Sequence, residues 1–260
     1  MELQRSLKDI TAQGLGLAAI SYDSPDTLKA FADRHGITFP LLSDSGSRTI
    51  TAWGILNTGA TGRSAGIPYP GTYVIAASGI IRSRNFEAAY QERDTADSIL
   101  AKLAPGAAPP GTTEVAGRHA ALRLGASDRV AAPGHRLTLF VDVAPAPGAH
   151  VYAPGQTGYI PVALTLDASA DDTASPAVYP ASTPFVFAPL KETVRVYARP
   201  FRIAEDVTLA LTPSMRQRAT AGDTLQIDGR FEYQACDARV CFPPETLPLH
   251  WTVTLVPIER

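Results

Sequence analysis

The sequence predicts two domains of different class, an α/β domain followed by an all-β antiparallel sandwich. Up to residue 104, apolar strand-like runs alternate with helical periodicity, as in an α/β unit. From residue 117 to residue 258 no long helical period appears, and short runs of alternating apolar residues follow one another. Residues 105–116 hold three prolines and two glycines, so we interpret them as a linker between the domains.

The first domain begins its α/β pattern with a strand and a helix. Residues 15–23 form an apolar run suited to a buried parallel strand. Ser24 is placed to cap the next helix, with Pro25 at its first position and Gly36 as its stop signal. Within that helix Leu28, Phe31, Ala32 and His35 share one face.

A β-hairpin and a helix complete the first domain. Residues 72–77 and 80–86 are strand-like and flank a Ser78-Gly79 turn. Residues 94–103 have amphipathic helical periodicity.

The second domain is predicted from period-two alternation. Apolar residues occupy every second position, so each strand buries one face. The clearest runs are residues 137–143, 162–166, 207–211 and 249–255. Several such strands separated by Pro, Gly and Asp loops indicate an antiparallel β-sandwich.

Composition excludes several classes of function. A net charge of −2 without runs of like charge leaves no basic patch for nucleic acid. No stretch approaches the roughly 18 apolar residues of a membrane helix, and the N-terminus does not have the pattern of a signal peptide. The oligomeric state is not indicated.

The two cysteines of the chain, Cys236 and Cys241, are four residues apart and form the candidate reactive pair. A four-residue hairpin loop would place them opposite each other, where a disulfide opens and closes with little backbone movement. Strand parity puts Cys236 on the polar face with Glu232 and Gln234. So small a ring stabilises by only about 2 kcal/mol, which favours a redox couple over a structural disulfide.

Both alternatives for the cysteines stay open from the residues alone. A fixed disulfide in a noncatalytic binding module is one, and a metal site is another. Zinc needs about four ligands, and no histidine has ligand spacing with the cysteines. His150 is either a general base near a thiol or a strand residue with a satisfied ring nitrogen.

The cysteine segment, FEYQACDARVCFPPET at residues 231–246, resembles the N-terminal extracytoplasmic domain of the membrane thiol reductase DsbD. GAHVYAPG at residues 148–155 is similar to an early strand motif of that family. The resemblance implies an immunoglobulin-like sandwich, Cys241 as initial nucleophile, and Tyr233 and Phe242 as supporting residues. It also implies a cap loop over the disulfide around residues 187–196, with Glu192 as a proton acceptor; a plain solvated loop is the alternative.

The first domain resembles the thioredoxin-like redoxins, in particular the AhpC/TSA peroxiredoxins. The resemblance is carried by residues 18–44 and by IPYPGTYVI at residues 67–75. It implies that Pro70 is a cis-proline beside the active site, with a trans proline at a strand start as the alternative. The reactive cysteine and the strand before it, which the family places ahead of the first helix, are absent, so either the natural protein begins upstream of Met1 or this domain is a scaffold.

Together these observations predict a thiol-disulfide oxidoreductase that passes electrons through Cys236 and Cys241. A peroxiredoxin-type antioxidant protein and the binding module described above are the alternatives. We expect no cofactor beyond the disulfide, and protein thiols or disulfides as partners, a membrane thiol reductase among them. By resemblance, the expected location is the periplasm or cell envelope.

Overall fold

The computed structural model describes residues 2–86, 93–103, 112–187 and 192–258. The chain divides into two compact units, Met1–Leu100 and Ala101–Ile258. In chain order, the first part of the sequence forms α1 (Glu2–Arg5), α2 (Leu7–Ala12), β1 (Ala19–Ser21), α3 (Pro25–His35), β2 (Leu41–Ser43), α4 (Arg48–Ala52), a 3₁₀ turn (Gly62–Ser64), β3 (Gly71–Ile75), β4 (Ile81–Phe86), β5 (Arg93–Asp94) and α5 (Ala96–Leu103).

Helix α3 forms with the predicted caps. The Ser24 hydroxyl oxygen accepts a hydrogen bond from the Thr27 backbone N–H at 3.2 Å, and Gly36 ends the helix in the left-handed conformation with φ of 61°. Of the predicted apolar face, Leu28 is buried, whereas Phe31 and His35 are exposed and contact each other. The local signals therefore fix the limits of this helix more strongly than its packing does.

The first unit contains two separate ribbons. Strands β1 and β2 pair in parallel, and β3 and β4 pair antiparallel across the turn that contains Gly79. Residues 15–18, predicted as part of the first strand, lie outside β1. Ile20 of β1 and Ile75 of β3 are exposed. Each of these strands pairs with a single described strand, which leaves its other edge unpaired among the described strands.

The prediction of a cis bond before Pro70 is wrong. The described peptide bonds are all trans, and Pro70 immediately precedes β3. A proline at this position has no ladder hydrogen bond to lose, so the trans isomer, which is intrinsically preferred, fits the start of a strand.

The second unit consists of one helix and thirteen strands over its described residues. These are β6 (Thr113–Ala116), β7 (Ala120–Ala126), β8 (Val130–Ala131), β9 (His135–Pro145), β10 (His150–Tyr152), β11 (Ala163–Leu166), β12 (Asp172–Ala174), β13 (Thr183–Phe187), β14 (Glu192–Tyr197), β15 (Phe201–Leu209), α6 (Pro213–Ala221), β16 (Thr224–Tyr233), β17 (Ala235–Cys236) and β18 (Glu245–Leu255). Residues 113–116, which the sequence analysis placed in the linker, thus form a strand that pairs with β7.

Two sheets enclose the main core. One has the strand order β12-β15-β9-β7-β6 and the other the order β11-β16-β18-β8. Their alternating apolar residues are buried together, as the period-two pattern predicts. Pairing is antiparallel except between β8 and β18, which run parallel. The predicted fold class, with an immunoglobulin-like β-sandwich in the second part, is confirmed.

A third sheet, with the order β13-β14-β10-β17, carries the cysteine segment. Its strands β10 and β17 turn Val151 and Ala235 towards the main core. The opposite face buries a smaller cluster made of Tyr152, Val194, Val196 and Cys236. Because both faces are covered, residues of β17 are buried on either side of the strand.

Glu205 of β15 is a carboxylate inside the sandwich. Its side chain is 6% exposed, and its Oε2 atom has no hydrogen-bond partner among the described residues. Burial raises the pKa of Glu205 to about 7. The folded protein therefore binds this proton more tightly than the unfolded chain does, so stability falls as the pH rises from the ordinary glutamate pKa through 7.

We expect Glu205→Gln to flatten this part of the stability profile. Relative to the variant, the wild-type free energy of unfolding should fall by about 2 kcal/mol between mildly acidic and mildly alkaline pH. Urea unfolding followed by Trp251 fluorescence, in a Trp53→Phe background, measures the difference. Glu232→Gln, at an exposed position of β16, is the matched control; equal profiles for wild type and Glu205→Gln would refute the assignment.

Candidate functional site

The two cysteines form a disulfide across a tight hairpin. Cys236 ends β17, the S–S distance to Cys241 is 2.04 Å, and the two Cα atoms lie 4.0 Å apart. In the loop, Oδ1 of Asp237 accepts hydrogen bonds from the backbone N–H groups of Arg239 (2.7 Å) and Val240 (2.8 Å). These bonds lower the pKa of Asp237. The Asp237 carboxylate therefore stabilises the conformation of the loop.

The two sulfur-bearing residues differ sharply in accessibility. Cys236 is 2% exposed, so its predicted position on a polar face is wrong. The alternation itself holds, because Phe231, Tyr233 and Ala235 all face the main core and Cys236 faces the other way. That other face is not polar at Cys236, because it packs there in the smaller cluster with Tyr152, Val194 and Val196. Cys241 is exposed. An external thiolate can therefore approach the disulfide at Cys241.

Tyr152 places a hydroxyl group beside both sulfur atoms. Its oxygen lies 3.3 Å from Sγ of Cys236 and 3.6 Å from Sγ of Cys241. Since disulfide sulfurs carry no hydrogen, the hydroxyl is the donor in this state. Burial raises the pKa of Tyr152, which keeps the hydroxyl protonated near neutral pH. The residue can thus stabilise negative charge that develops on sulfur.

A second tyrosine, Tyr159, connects Tyr152 to Glu192. The ring of Tyr159 stacks on that of Tyr152 with centroids 4.3 Å apart. The Tyr159 hydroxyl donates to Oε2 of Glu192 at 2.6 Å, and that bond raises the pKa of Tyr159 to about 12. Glu192, the predicted proton acceptor, therefore holds the Tyr159 ring against Tyr152. Its hydrogen bond in this site is to Tyr159.

The expected cap loop around residues 187–196 is largely a β-hairpin. Strands β13 and β14 pair from Thr183↔Val196 to Phe187↔Glu192, and Val194 and Val196 pack on the cluster that contains Cys236. The alternative of a plain solvated loop is thus wrong for residues 192–196. Residues 188–191 lie outside the described residues.

His150 lies directly across from Cys236 in the β10–β17 pair. Its ring contacts those of Tyr152 and Phe185, with centroid distances of 5.6 and 4.5 Å. Burial lowers the pKa of His150, and the charge of Asp237 opposes that effect. His150 is a buried strand residue whose ring makes these aromatic contacts without a hydrogen bond to any described residue.

Together these groups line a cleft of about 160 Å³ beside the disulfide. Its walls are His150, Tyr152, Tyr159, Cys236, Asp237, Arg239, Val240 and Cys241. The sequence analysis did not find Tyr159, which lies in the Gly- and Pro-containing segment between β10 and β11. In the sequence Tyr159 is only an aromatic residue seven positions after Tyr152, and no pattern indicates that the two rings stack.

The predicted supporting residues Tyr233 and Phe242 lie outside this cleft. Tyr233 is buried in the main core; its hydroxyl donates to Glu245 and accepts from the His119 backbone N–H. Phe242 stacks on His119 with ring centroids 3.8 Å apart. Both therefore anchor the segments on either side of the disulfide hairpin, without contact to sulfur.

Two kinds of feature are absent from the described parts of the chain, a metal-binding cluster and a helix able to cross a membrane. Within those residues, no group of His, Cys, Asp and Glu side chains has an arrangement that could hold a metal ion. No described helix combines the length and apolar character that crossing a membrane requires.

Comparison with known proteins places both parts of the chain. The family model of the AhpC/TSA family matches residues 1–84. The model described as thiol:disulfide interchange protein DsbD, N-terminal, matches residues 122–249, which include the disulfide hairpin and its cleft. Each part matches a redox family. Both resemblances inferred from the sequence are thereby confirmed, and the two matched families support a thiol-disulfide redox role in general terms.

Curated relatives of the redoxin part are mycobacterial. A Mycobacterium tuberculosis protein named as a peroxiredoxin is 45% identical over 53 residues, which is 20% of this chain and 34% of the relative. Alkyl hydroperoxide reductase E of the same species is 35% identical over 95 residues, 36% of this chain and 59% of the relative. The chain thus spans between about a third and three fifths of the length of these relatives.

A solved structure is also similar. The N-terminal periplasmic domain of ScsB from Proteus mirabilis aligns with 16% identity and a TM-score of 0.35, covering 56% of this chain and 49% of that one.

We expect Tyr152→Phe to slow reduction of the disulfide about 3- to 10-fold, because the variant loses one hydrogen bond worth about 1 kcal/mol to the departing sulfur. Reduction by excess glutathione at fixed pH, followed by thiol alkylation and mass analysis, measures the rate. Tyr197→Phe, which removes a hydroxyl that donates to the Pro180 carbonyl at 2.8 Å, controls for packing. Equal slowing in both variants would contradict a role for the Tyr152 hydroxyl.

Proposed function

We propose that this protein is a thiol-disulfide oxidoreductase that exchanges electrons with protein partners through Cys236 and Cys241. The observation that carries the proposal is the asymmetry of the disulfide: Cys241 is exposed, whereas Cys236 is buried against a hydroxyl donor. An incoming thiolate has access to one sulfur, and the other sulfur is prepared to leave. A disulfide that serves only to join two strands needs neither feature.

In the reductive direction, a partner thiolate attacks Sγ of Cys241. A bond forms between the partner sulfur and Cys241, the Cys236–Cys241 bond breaks, and its electron pair passes to Sγ of Cys236 as a thiolate. A second partner thiol, as its thiolate, then attacks the partner sulfur and releases Cys241. The partner leaves as a disulfide, and the protein holds two reduced cysteines.

The reverse sequence uses the same atoms. The Cys241 thiolate attacks a partner disulfide and forms a mixed disulfide, which the Cys236 thiolate then resolves by attacking Cys241. Cys241 is therefore the initial nucleophile in this direction and Cys236 the resolving cysteine. The hydroxyl of Tyr152 contacts both sulfurs, so it can stabilise whichever of them carries charge.

We further propose that the partners are protein thiols or disulfides, with a membrane thiol reductase among them, and that the compartment is the periplasm or cell envelope. The match to the DsbD N-terminal model and the presence of a disulfide support this location. The disulfide itself supplies the redox chemistry, and the mechanism requires no further cofactor. The redoxin part is a candidate exchange partner, either in a longer form of this protein or in a separate one.

The reduction potential of the Cys236–Cys241 pair tests the proposal. Equilibration of the whole chain in glutathione buffers, with alkylation of free thiols, should give a value between about −270 and −120 mV, the range of exchange proteins. A value well below about −300 mV would identify a fixed structural disulfide and favour the binding-module alternative.

A further inference from the structure

We propose that His150 is an acid–base residue of this site: it takes up a proton when the disulfide opens and then stabilises Cys236 as a thiolate. The inference deepens the proposed exchange function and rests on it. It takes up the interpretation of His150 as a general base near a thiol, which the sequence left open.

The register of strands β10 and β17 places His150 opposite Cys236. His150 and Cys236 are direct cross-strand partners of the antiparallel β10–β17 pair. Side chains at such positions project from the same face of the sheet, with Cβ atoms ~4.5–5.5 Å apart. Both residues line the same cleft. The imidazole is therefore held beside the sulfur that leaves in the proposed reaction.

The ring nitrogens of His150 are available for proton exchange. Its contacts are with the aromatic rings of Tyr152 and Phe185, and no described residue forms a hydrogen bond with it. Buried polar groups usually have hydrogen-bond partners. By contrast, the exposed His250 is paired with Asp228 at 2.6 Å. The cleft beside the disulfide is thus where the nitrogens of His150 can find a partner.

The groups around the His150 ring determine its charge. Burial lowers the pKa of His150, while Asp237, whose carboxylate is bonded to its own loop, raises it. Arg239 lies on the same loop and lines the cleft. Tyr152 and Tyr159 both have raised pKa values and stay neutral near pH 7. With an uncharged disulfide opposite it, the ring is accordingly neutral, and a new thiolate would favour its protonation.

The proton balance of the step follows. When a partner thiolate attacks Cys241, the S–S bond breaks and its electron pair goes to Cys236. His150 then takes one proton from solvent, and the imidazolium faces the thiolate. A sulfur whose conjugate thiol has a lower pKa leaves faster. In reverse, His150 returns the proton to solvent as Cys236 attacks Cys241 and the partner thiolate departs.

The thiolate titration of Cys236 tests the inference without any partner. In a Cys241→Ala background, His150→Phe should reduce the thiolate fraction at neutral pH about 10-fold or more, as expected for the loss of an opposite charge within ~4–6 Å. Ultraviolet thiolate absorbance measures that fraction, and His250→Phe is the matched histidine control. An unchanged titration in the folded His150→Phe variant would overturn the inference.

A second measurement requires no substitution. Nuclear magnetic resonance titration of the His150 ring in the oxidised and reduced wild-type protein should show a higher histidine pKa in the reduced form. Equal values would also overturn the inference. Because both readouts are independent of exchange, they can fail while the reduction potential supports the oxidoreductase, or succeed while that potential identifies a fixed disulfide.

Discussion

The disulfide site depends on a change of sheet at Gln234. Strand β16 belongs to the sandwich and ends at Tyr233, whereas β17 begins at Ala235 and pairs with β10 in the third sheet. This step turns Ala235 into the main core and Cys236 into the smaller cluster behind it. The Gln234 side chain donates to the Phe242 carbonyl at 3.0 Å, which ties the two sides of the hairpin together at the transition.

In the proposed exchange, burial of Cys236 gives the site its chemical direction. A disulfide exposed equally at both sulfurs would offer two points of attack and no preferred leaving group. Here Tyr152 contacts both sulfurs, but Cys236 is buried across from His150, while Cys241 is exposed. Thiol-disulfide exchange depends on which sulfur is attacked and on the pKa of the departing thiol. In this proposal the packing around β17, a strand of two residues, decides which sulfur is attacked. The same packing influences the pKa of the departing thiol.

The elements that sequence analysis predicted well are those with local signals. Ser24, Pro25 and Gly36 mark the limits of α3, and period-two alternation identifies the long sandwich strands. The site was harder to predict because its geometry is non-local. Parity gave the correct face for Cys236, but it could not show that this face is buried there by side chains of β10 and β14. The contact of Tyr159 with Glu192 joins residues 33 positions apart, and no periodic pattern reveals either this contact or the stacking of Tyr159 on Tyr152.

The most direct test of this account compares the two cysteines one at a time. In Cys236→Ala and Cys241→Ala variants, the rate of mixed-disulfide formation with oxidised glutathione can be measured across pH and expressed per thiolate, which separates accessibility from pKa. The account predicts that Cys241 reacts at least about 10-fold faster per thiolate than Cys236, since thiolate reactivity depends on access. Equal rates, or a faster Cys236, would contradict the claim that burial directs exchange to Cys241.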